Sequence, residues 1–188
     1  MNKHVRPALT VLALMTLITG IAYPLSVTAV AQFAFADQAN GSLVRDAAGQ
    51  IRGSALLAQP FEGPQWFHPR PSAAGHATVA SGASNLAPSN PELLEQVGKR
   101  TARWGGTSEH PVPLDLVMSS ASGLDPHLSL AAARYQIDRI AAARGIPAKH
   151  LGALIDTHAS TPLVGPAVVN VLALNLALAE NPAPDSSE

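Results

Sequence analysis

After Lys3, His4 and Arg6 the chain carries no charged residue from Pro7 to Ala36, and aliphatic and small residues fill most of that run. A helix needs about twenty apolar residues to cross the ~30 Å hydrocarbon core, so the pattern predicts one transmembrane helix, spanning about Ala8 to Val30. Thr10, Thr16 and Thr19 can return their hydroxyls to helix carbonyls. Gly20 and Pro24 are expected to bend the helix without breaking it.

Beyond the apolar run the periodicity changes. Ser42–Arg45 and Gln50–Arg52 read as two short strands joined by Asp46-Ala47-Ala48-Gly49, with Gly49 supplying a left-handed position. Ala55–Leu57 is expected to extend them into a small antiparallel sheet just outside the membrane. From Gln59 to Pro91 repeated Pro and Gly remove all periodicity. Asn90 then caps a helix with Pro91 at its first position, its apolar face formed by Leu93, Leu94 and Val97 up to about Arg103. Gly105-Gly106 ends it, and Pro113–Met118 suits a short strand or turn.

Ser129 opens the clearest helical stripe, Leu130, Ala133, Ile137, Ile140 and Ala141, closed by Gly145. Pro147 starts another helix, with Leu151, Leu154 and Ile155 spaced for burial. A final helix is expected over Val168–Leu178, with Asn170 and Asn175 as polar exceptions, before a loose tail from Asn181. The fold class is therefore α+β: a single N-terminal transmembrane helix followed by one extracytoplasmic domain with a small antiparallel sheet and several helices. Residues 1–36 form a cytoplasmic stub and anchor, and residues 37–188 the domain.

Charge supplies the orientation. Every acidic residue lies at or after Asp37, whereas Lys3 and Arg6 precede the span, so the positive-inside bias keeps the N-terminus cytoplasmic and turns the body to the outer face of the membrane. Ala34-Phe35-Ala36 resembles a signal-peptide cleavage site, but the apolar run is about twice the ~7–15 residues of a signal h-region, which favours an uncleaved anchor. The whole chain has a net charge of −1, with no cysteine. The body, at ten Lys and Arg against thirteen Asp and Glu, lacks the basic surface that nucleic acid demands. Few aromatics and many Ala, Pro and Gly predict a thin core, partly covered by a partner protein.

Catalytic constellations are sparse. The seven histidines are scattered and never stand at helical metal-ligand spacing. Ser122, Asp125 and His127 supply three triad residue types, yet within six positions they cannot hold triad geometry, and turn and cap chemistry explains them better. No Gly-x4-Gly-Lys-Ser/Thr phosphate loop occurs. Asp156-Thr157-His158 lacks the lysine and glycine of a pump phosphorylation motif, and the arginines at 134, 139 and 144 read as a solvated face. No metal or cofactor is assigned to this chain.

The irregular segment from Gln59 to Ala73 concentrates Phe61, Trp66 and Phe67, three of the eight aromatics, beside His68 and Arg70. Such residues suit either an ordered binding loop, with Phe61, Trp66, Phe67, His68 and Arg70 as its interface, or a plug on the domain's own core. The binding loop is the favoured expectation.

One family resemblance runs the length of the chain. Arg6-Pro7-Ala8-Leu9, Ile18-Thr19-Gly20 with Tyr23-Pro24, Gln38-Ala39-Asn40-Gly41-Ser42-Leu43, Arg52-Gly53-Ser54-Ala55-Leu56, Phe67-His68 with Arg70-Pro71-Ser72-Ala73, Ser89-Asn90-Pro91-Glu92-Leu93, Ala121-Ser122-Gly123-Leu124-Asp125, Tyr135-Gln136-Ile137 and Val168-Val169-Asn170-Val171-Leu172 are all similar to the C subunit of the bacterial Kdp potassium-transporting P-type ATPase. Departures are local, at Leu57-Ala58-Gln59, Pro69 and Ala173.

The resemblance implies a non-catalytic accessory subunit. Its partners would be a channel-like potassium-binding subunit, a P-type ATP-hydrolysing subunit and a small membrane peptide, with ATP, Mg and K+ acting at the level of the complex. It further implies a catalytic-chaperone role that raises ATP affinity, with Gln136, Ser122 and Gly123 as nucleotide contacts, although an outward body does not meet cytoplasmic ATP. The competing class is an independent membrane-anchored extracytoplasmic binding protein.

Overall fold

The computed structural model describes residues 2–180; the expectation for the tail from Asn181 lies outside the described residues. The chain divides into two compact units between Leu43 and Val44.

In the first unit the uncharged run is helical, as α1 (Asn2–Leu17), a π-helical turn (Ile18–Ala22) and α2 (Tyr23–Ala34). Lys3–Ala34 is long and apolar enough to cross a membrane. The π turn has an identifiable cause. Pro24 has no N–H with which to reach the Gly20 carbonyl, and just before it the Tyr23 N–H donates to the Ile18 carbonyl, five residues back. Thr10 and Thr19 donate to the Arg6 and Met15 carbonyls at 3.0 and 2.7 Å, and Ser26 to Ala22 at 2.7 Å. A short turn of helix, α3 (Ala36–Ala39), follows, with Asn40 Nδ2 donating to the Ala36 carbonyl.

The expected hairpin, β1 (Leu43–Arg45) and β2 (Ile51–Ser54), begins on the last residue of the first unit and otherwise lies in the second. Asp46 organises its turn: Oδ1 accepts from the Ala48 and Gln50 amides while Oδ2 pairs with Arg52 at 2.7 Å. Ala55–Leu57 does not supply a third strand. The chain turns there instead, and the Gln59 side chain donates back to the Arg52 carbonyl.

A second sheet, unforeseen from the pattern, joins β3 (His127–Ser129), β5 (Val168–Asn170) and β4 (Ala159–Ser160) in the order β3-β5-β4. Leu128 and Ala159 both face Val169 in antiparallel register. Strands of two or three residues are too short for alternation to register, and only pairing on both sides makes Val168–Asn170 a strand rather than the first turn of a helix. The last helix therefore begins later, as α9 (Val171–Glu180). Asn170 caps it, accepting from the Ala173 amide at 3.1 Å and donating to the Ala55 carbonyl at 2.8 Å.

Of the remaining helices, α4 (Pro91–Arg103) starts as expected, Asn90 Oδ1 accepting from the Glu92 amide at 2.9 Å. Its inward side is Leu93, Val97, Arg100 and Thr101, while Leu94, expected on that face, is exposed. Leu114–Val117 forms a single helical turn, α5, the turn of the two forms expected there. The stripe from Ser129 is split into α6 (Leu130–Tyr135) and α7 (Ile137–Arg144) by a turn at Gln136, which keeps right-handed dihedrals at φ −89° and ψ −9° but donates its N–H to the Ala133 carbonyl, three residues back. Gly145 at φ +67° closes α7, and α8 (Ala148–Thr157) buries Leu151 and Ile155. These surfaces meet in one core built on Phe67, Leu116, Leu128, Ile140, Leu151, Ile155, Val169, Leu174 and Leu178.

Two glycines test these assignments in opposite directions. Gly145 needs the left-handed conformation that costs other residues about 1–2 kcal/mol, so Gly145→Ala should destabilise the protein by about that amount in urea unfolding in mild detergent. Gly152 sits inside α8 with open space where a Cβ would stand, so Gly152→Ala should raise stability by about 0.5–1 kcal/mol.

Candidate functional site

The irregular segment from Gln59 to Ala73 lies against the core, and polar side chains from the helices account for its backbone. A buried stretch without regular structure leaves its amides and carbonyls without ladder partners, and each must be satisfied some other way. Asn175, fully buried on α9, accepts from the Phe67 N–H at 2.9 Å and donates to the Phe67 carbonyl at 2.9 Å. Gln136, fully buried at the α6–α7 turn, repeats the pattern one residue on, accepting from the His68 N–H at 2.8 Å and donating to its carbonyl at 3.0 Å.

Two arginines secure the approach to this clamp. Arg139 donates to the Pro64 and Trp66 carbonyls at 2.6 and 2.9 Å and to Gln136 Oε1 at 2.7 Å. Arg144 donates to the Gln65 carbonyl at 2.8 Å and to that of Leu178 at 3.1 Å, with its guanidinium 4.4 Å from the Trp66 ring centroid. Arg70 at the far end pairs with Asp125 at 3.0 Å, and the Pro71 carbonyl accepts from the Ser120 amide.

This geometry corrects two expectations. Phe67 has no exposed surface: its ring fills the centre of the domain's own core, so it is the plug and not an interface anchor. Gln136 is likewise fully buried with both ends of its amide committed to His68, so a nucleotide could reach it only by breaking the clamp. Ser122 and Gly123 do not join it. Ser122 Oγ accepts from the Leu124 amide, and Gly123, at φ +70°, packs so closely on Gly82 that an added Cβ would stand 2.8 Å from its carbonyl oxygen.

Phe61 and Trp66 remain half-exposed, their rings 6.0 Å apart, and with Leu172 and Leu176 of α9 they line an open groove of about 650 Å³ rimmed by Asp46 and Arg52. His68 and Arg70 line a separate, smaller cleft. The Ser122, Asp125 and His127 set does turn chemistry: Asp125 Oδ1 accepts from the His127 amide at 3.0 Å and stands 3.7 Å from its Nδ1, too far for a hydrogen bond, while Oδ2 serves Arg70.

The clamp residues were hidden among expectations of other kinds. Asn175 was visible as a polar exception in an apolar run, which is the signal that a buried polar partner exists. Arg139 and Arg144, read as a solvated face, are half-buried. Burial lowers both guanidinium pKa values, Arg103 adding repulsion at Arg139. His68 is pushed down chiefly by burial and also by Arg139 and Arg103, against an opposing hydrogen bond to the Gly63 carbonyl.

Comparison with known proteins gives this arrangement its context. The family model described as KdpC, the K+-transporting ATPase c chain, matches residues 5–180. The chain belongs to the KdpC family. Among its relatives, a potassium-transporting ATPase KdpC subunit of Pseudomonas savastanoi pv. phaseolicola is 58% identical over 182 residues, 97% of this chain and 96% of the relative. The KdpC subunit of Pseudomonas aeruginosa is 58% identical over 179 residues, covering 95% and 98%. One from Pseudomonas putida is 59% identical over 178 residues, covering 95% and 96%. The family match spans the apolar helix, the clamp and the loop that it holds.

Asn175→Leu should keep the volume but strand the Phe67 N–H and carbonyl. At about 1–3 kcal/mol for each buried group left unpaired, the protein should lose at least about 2 kcal/mol in urea unfolding. His68 generates a pH prediction. Its folded pKa lies below the unfolded value near 6.5, so below that pH the unfolded chain takes up a proton that the folded one resists. Its contribution is complete above about pH 6.5 and is lost as pH falls through the folded pKa. Melting temperatures measured from pH 7.5 to 5 should fall less steeply in His68→Gln than in the parent.

Proposed function

We propose that this chain is the accessory, non-catalytic subunit of a potassium-transporting P-type ATPase, held by its N-terminal helix with the body on the outer face, where it braces a channel-like potassium-binding subunit. The observation that carries the reading is the family match from residue 5 to residue 180. The positive charges before the apolar helix and the acidic residues after it support the orientation. The use of Ser122, Asp125 and His127 in turns supports a role without chemistry of its own.

The partners in this reading are the channel-like subunit, the ATP-hydrolysing subunit and a small membrane peptide, with ATP, Mg and K+ handled by the complex. The Phe61 and Trp66 groove, apolar at its floor, is the surface offered to the channel-like subunit. An increase in the ATP affinity of the pump subunit would then be transmitted through assembly, since Gln136 is closed off by its bonds to His68.

A tagged full chain drawn from its native membrane in mild detergent should bring the other subunits in constant proportion; a free chain would sink the reading in favour of an independent anchored binding protein. Leu163, fully exposed in the β4–β5 connection, is a suitable reporter of orientation. Leu163→Cys should react with a membrane-impermeant maleimide in intact spheroplasts, and labelling only after lysis would reverse the orientation. Phe61→Ala should reduce recovery of the complex several-fold at an unchanged melting temperature of the chain. A lowered melting temperature with full recovery would instead make Phe61 an internal packing residue.

A further inference from the structure

The clamp leaves a second consequence on the other side of the same loop. A cleft of about 190 Å³ is bordered by His68, Arg70 and His76 from the loop, Arg100 and Arg103 from α4, and Trp104 beyond it. No acidic side chain lines it. Three guanidiniums and two imidazoles thus converge on a space smaller than the ~300–1,000 Å³ of pockets that enclose drug-sized ligands, and equal to the liquid volume of about six waters. It suits one small ionic group, not a base with its sugar.

The charges are incompletely matched within the protein. Arg70 Nη1 is spent on Asp125, and Arg100 donates to the Val117 carbonyl at 2.8 Å and to Gln96 at 3.2 Å. The Arg103 side chain makes no hydrogen bond or ion pair with a described residue, and it repels both His68 and Arg139. Two nitrogens of lining side chains, the Arg70 Nε donor and the His76 Nε2, are buried without a partner among the described residues. Buried unpaired donors each cost about 1–3 kcal/mol, and like charges brought together cost more. Both costs fall when an anion with several acceptor oxygens enters. His76 is held for this in a left-handed backbone conformation, φ +62°, by a 2.9 Å bond from its amide to Ser72 Oγ.

We infer that the cleft between residues 68–76 and α4 binds a single phosphate group, with Arg103 and Arg70 as its principal ligands and His76 and Arg100 completing the cradle. A guanidinium fork pairs bidentately with a carboxylate or a phosphate, but a phosphate group carries more acceptor oxygens and so serves several guanidiniums at once. The phosphate could belong to free inorganic phosphate or to the headgroup of an anionic lipid, and the chemistry of the cleft is the same for both.

The test uses the full chain in nanodiscs, titrated with inorganic phosphate at constant ionic strength and read by 31P NMR and by melting temperature. In phosphatidylcholine discs phosphate should bind saturably and raise the melting temperature. Arg103→Ala, a change at an exposed side chain on α4, should weaken binding at least tenfold without lowering the melting temperature in the absence of phosphate. His76→Ala should weaken it independently. If phosphatidylglycerol in the disc suppresses the phosphate titration in the parent and that suppression is absent in Arg103→Ala discs, the natural occupant is a headgroup; if it has no effect, free phosphate is the ligand. Absence of saturable binding in the phosphatidylcholine disc, equal displacement by chloride, or binding untouched by Arg103→Ala overturns the inference. Saturable binding of a polyglutamate peptide in place of phosphate also overturns it, and gives the cleft to an acidic protein segment.

Discussion

A loop without regular structure can lie in a protein interior only if its backbone polar groups find partners, and two amides meet that condition here. Asn175 brackets the peptide groups of Phe67 and Gln136 those of His68, each accepting at one end and donating at the other. Because the bonds are made by buried side chains in low dielectric, they are stronger than the same bonds in water and costlier to leave half made. The Phe67 ring can therefore sit at the centre of the core while its neighbours Trp66 and His68 face outward to different surfaces. The split between α6 and α7 belongs to the same device, since the turn at Gln136 is where its amide is presented.

The clamp also distributes the domain's charges. Arg139 and Arg144 carry the carbonyls of residues 64–66 that the amides do not reach, and their guanidiniums lie over aromatic rings, Arg139 5.3 Å from that of Trp104 and Arg144 4.4 Å from that of Trp66. Half-buried cations in an aromatic-poor protein take over part of the packing that larger apolar side chains would otherwise supply. On one side of the loop this leaves the apolar groove of Phe61 and Trp66, and on the other the cationic cleft of Arg70, Arg100 and Arg103. Both surfaces exist because the segment between them is held flat. A chain that assembles with other subunits gains from such a segment: its shape is set before a partner arrives, so little ordering entropy remains to be lost on association.

Much of the molecule was legible from the order of residues. A single uncharged run that long has one way to satisfy its backbone in lipid, and the helix followed it, with a π turn where Pro24 withdraws its donor. Asn90-Pro91, Ser129 and Gly145 marked helix ends because capping is decided within four residues. The Asp46–Gly49 turn was readable for the same reason. The β3-β5-β4 sheet was not, because strands of two or three residues barely complete one two-residue period of alternation and acquire their identity from each other. Leu94 was assigned to the wrong face, since helical spacing gives a stripe but not its centre.

The amino-acid order by itself determined the long apolar helix, the caps, the α+β class and the family, all properties carried by local geometry, by composition or by matching residues one at a time. What the tertiary structure decided was the use of the middle segment. Phe61, Trp66, Phe67, His68 and Arg70 offer the same residue types to an interface as to a core, and nothing within that stretch chooses between them. The choice is made by hydrogen bonds to residues 68 and 108 positions away in the chain, contacts that carry no periodicity and leave only an isolated Asn or Gln as their trace. Local forces fix where a capped helix such as α4 starts; only the closed core fixes which side of a loop faces in.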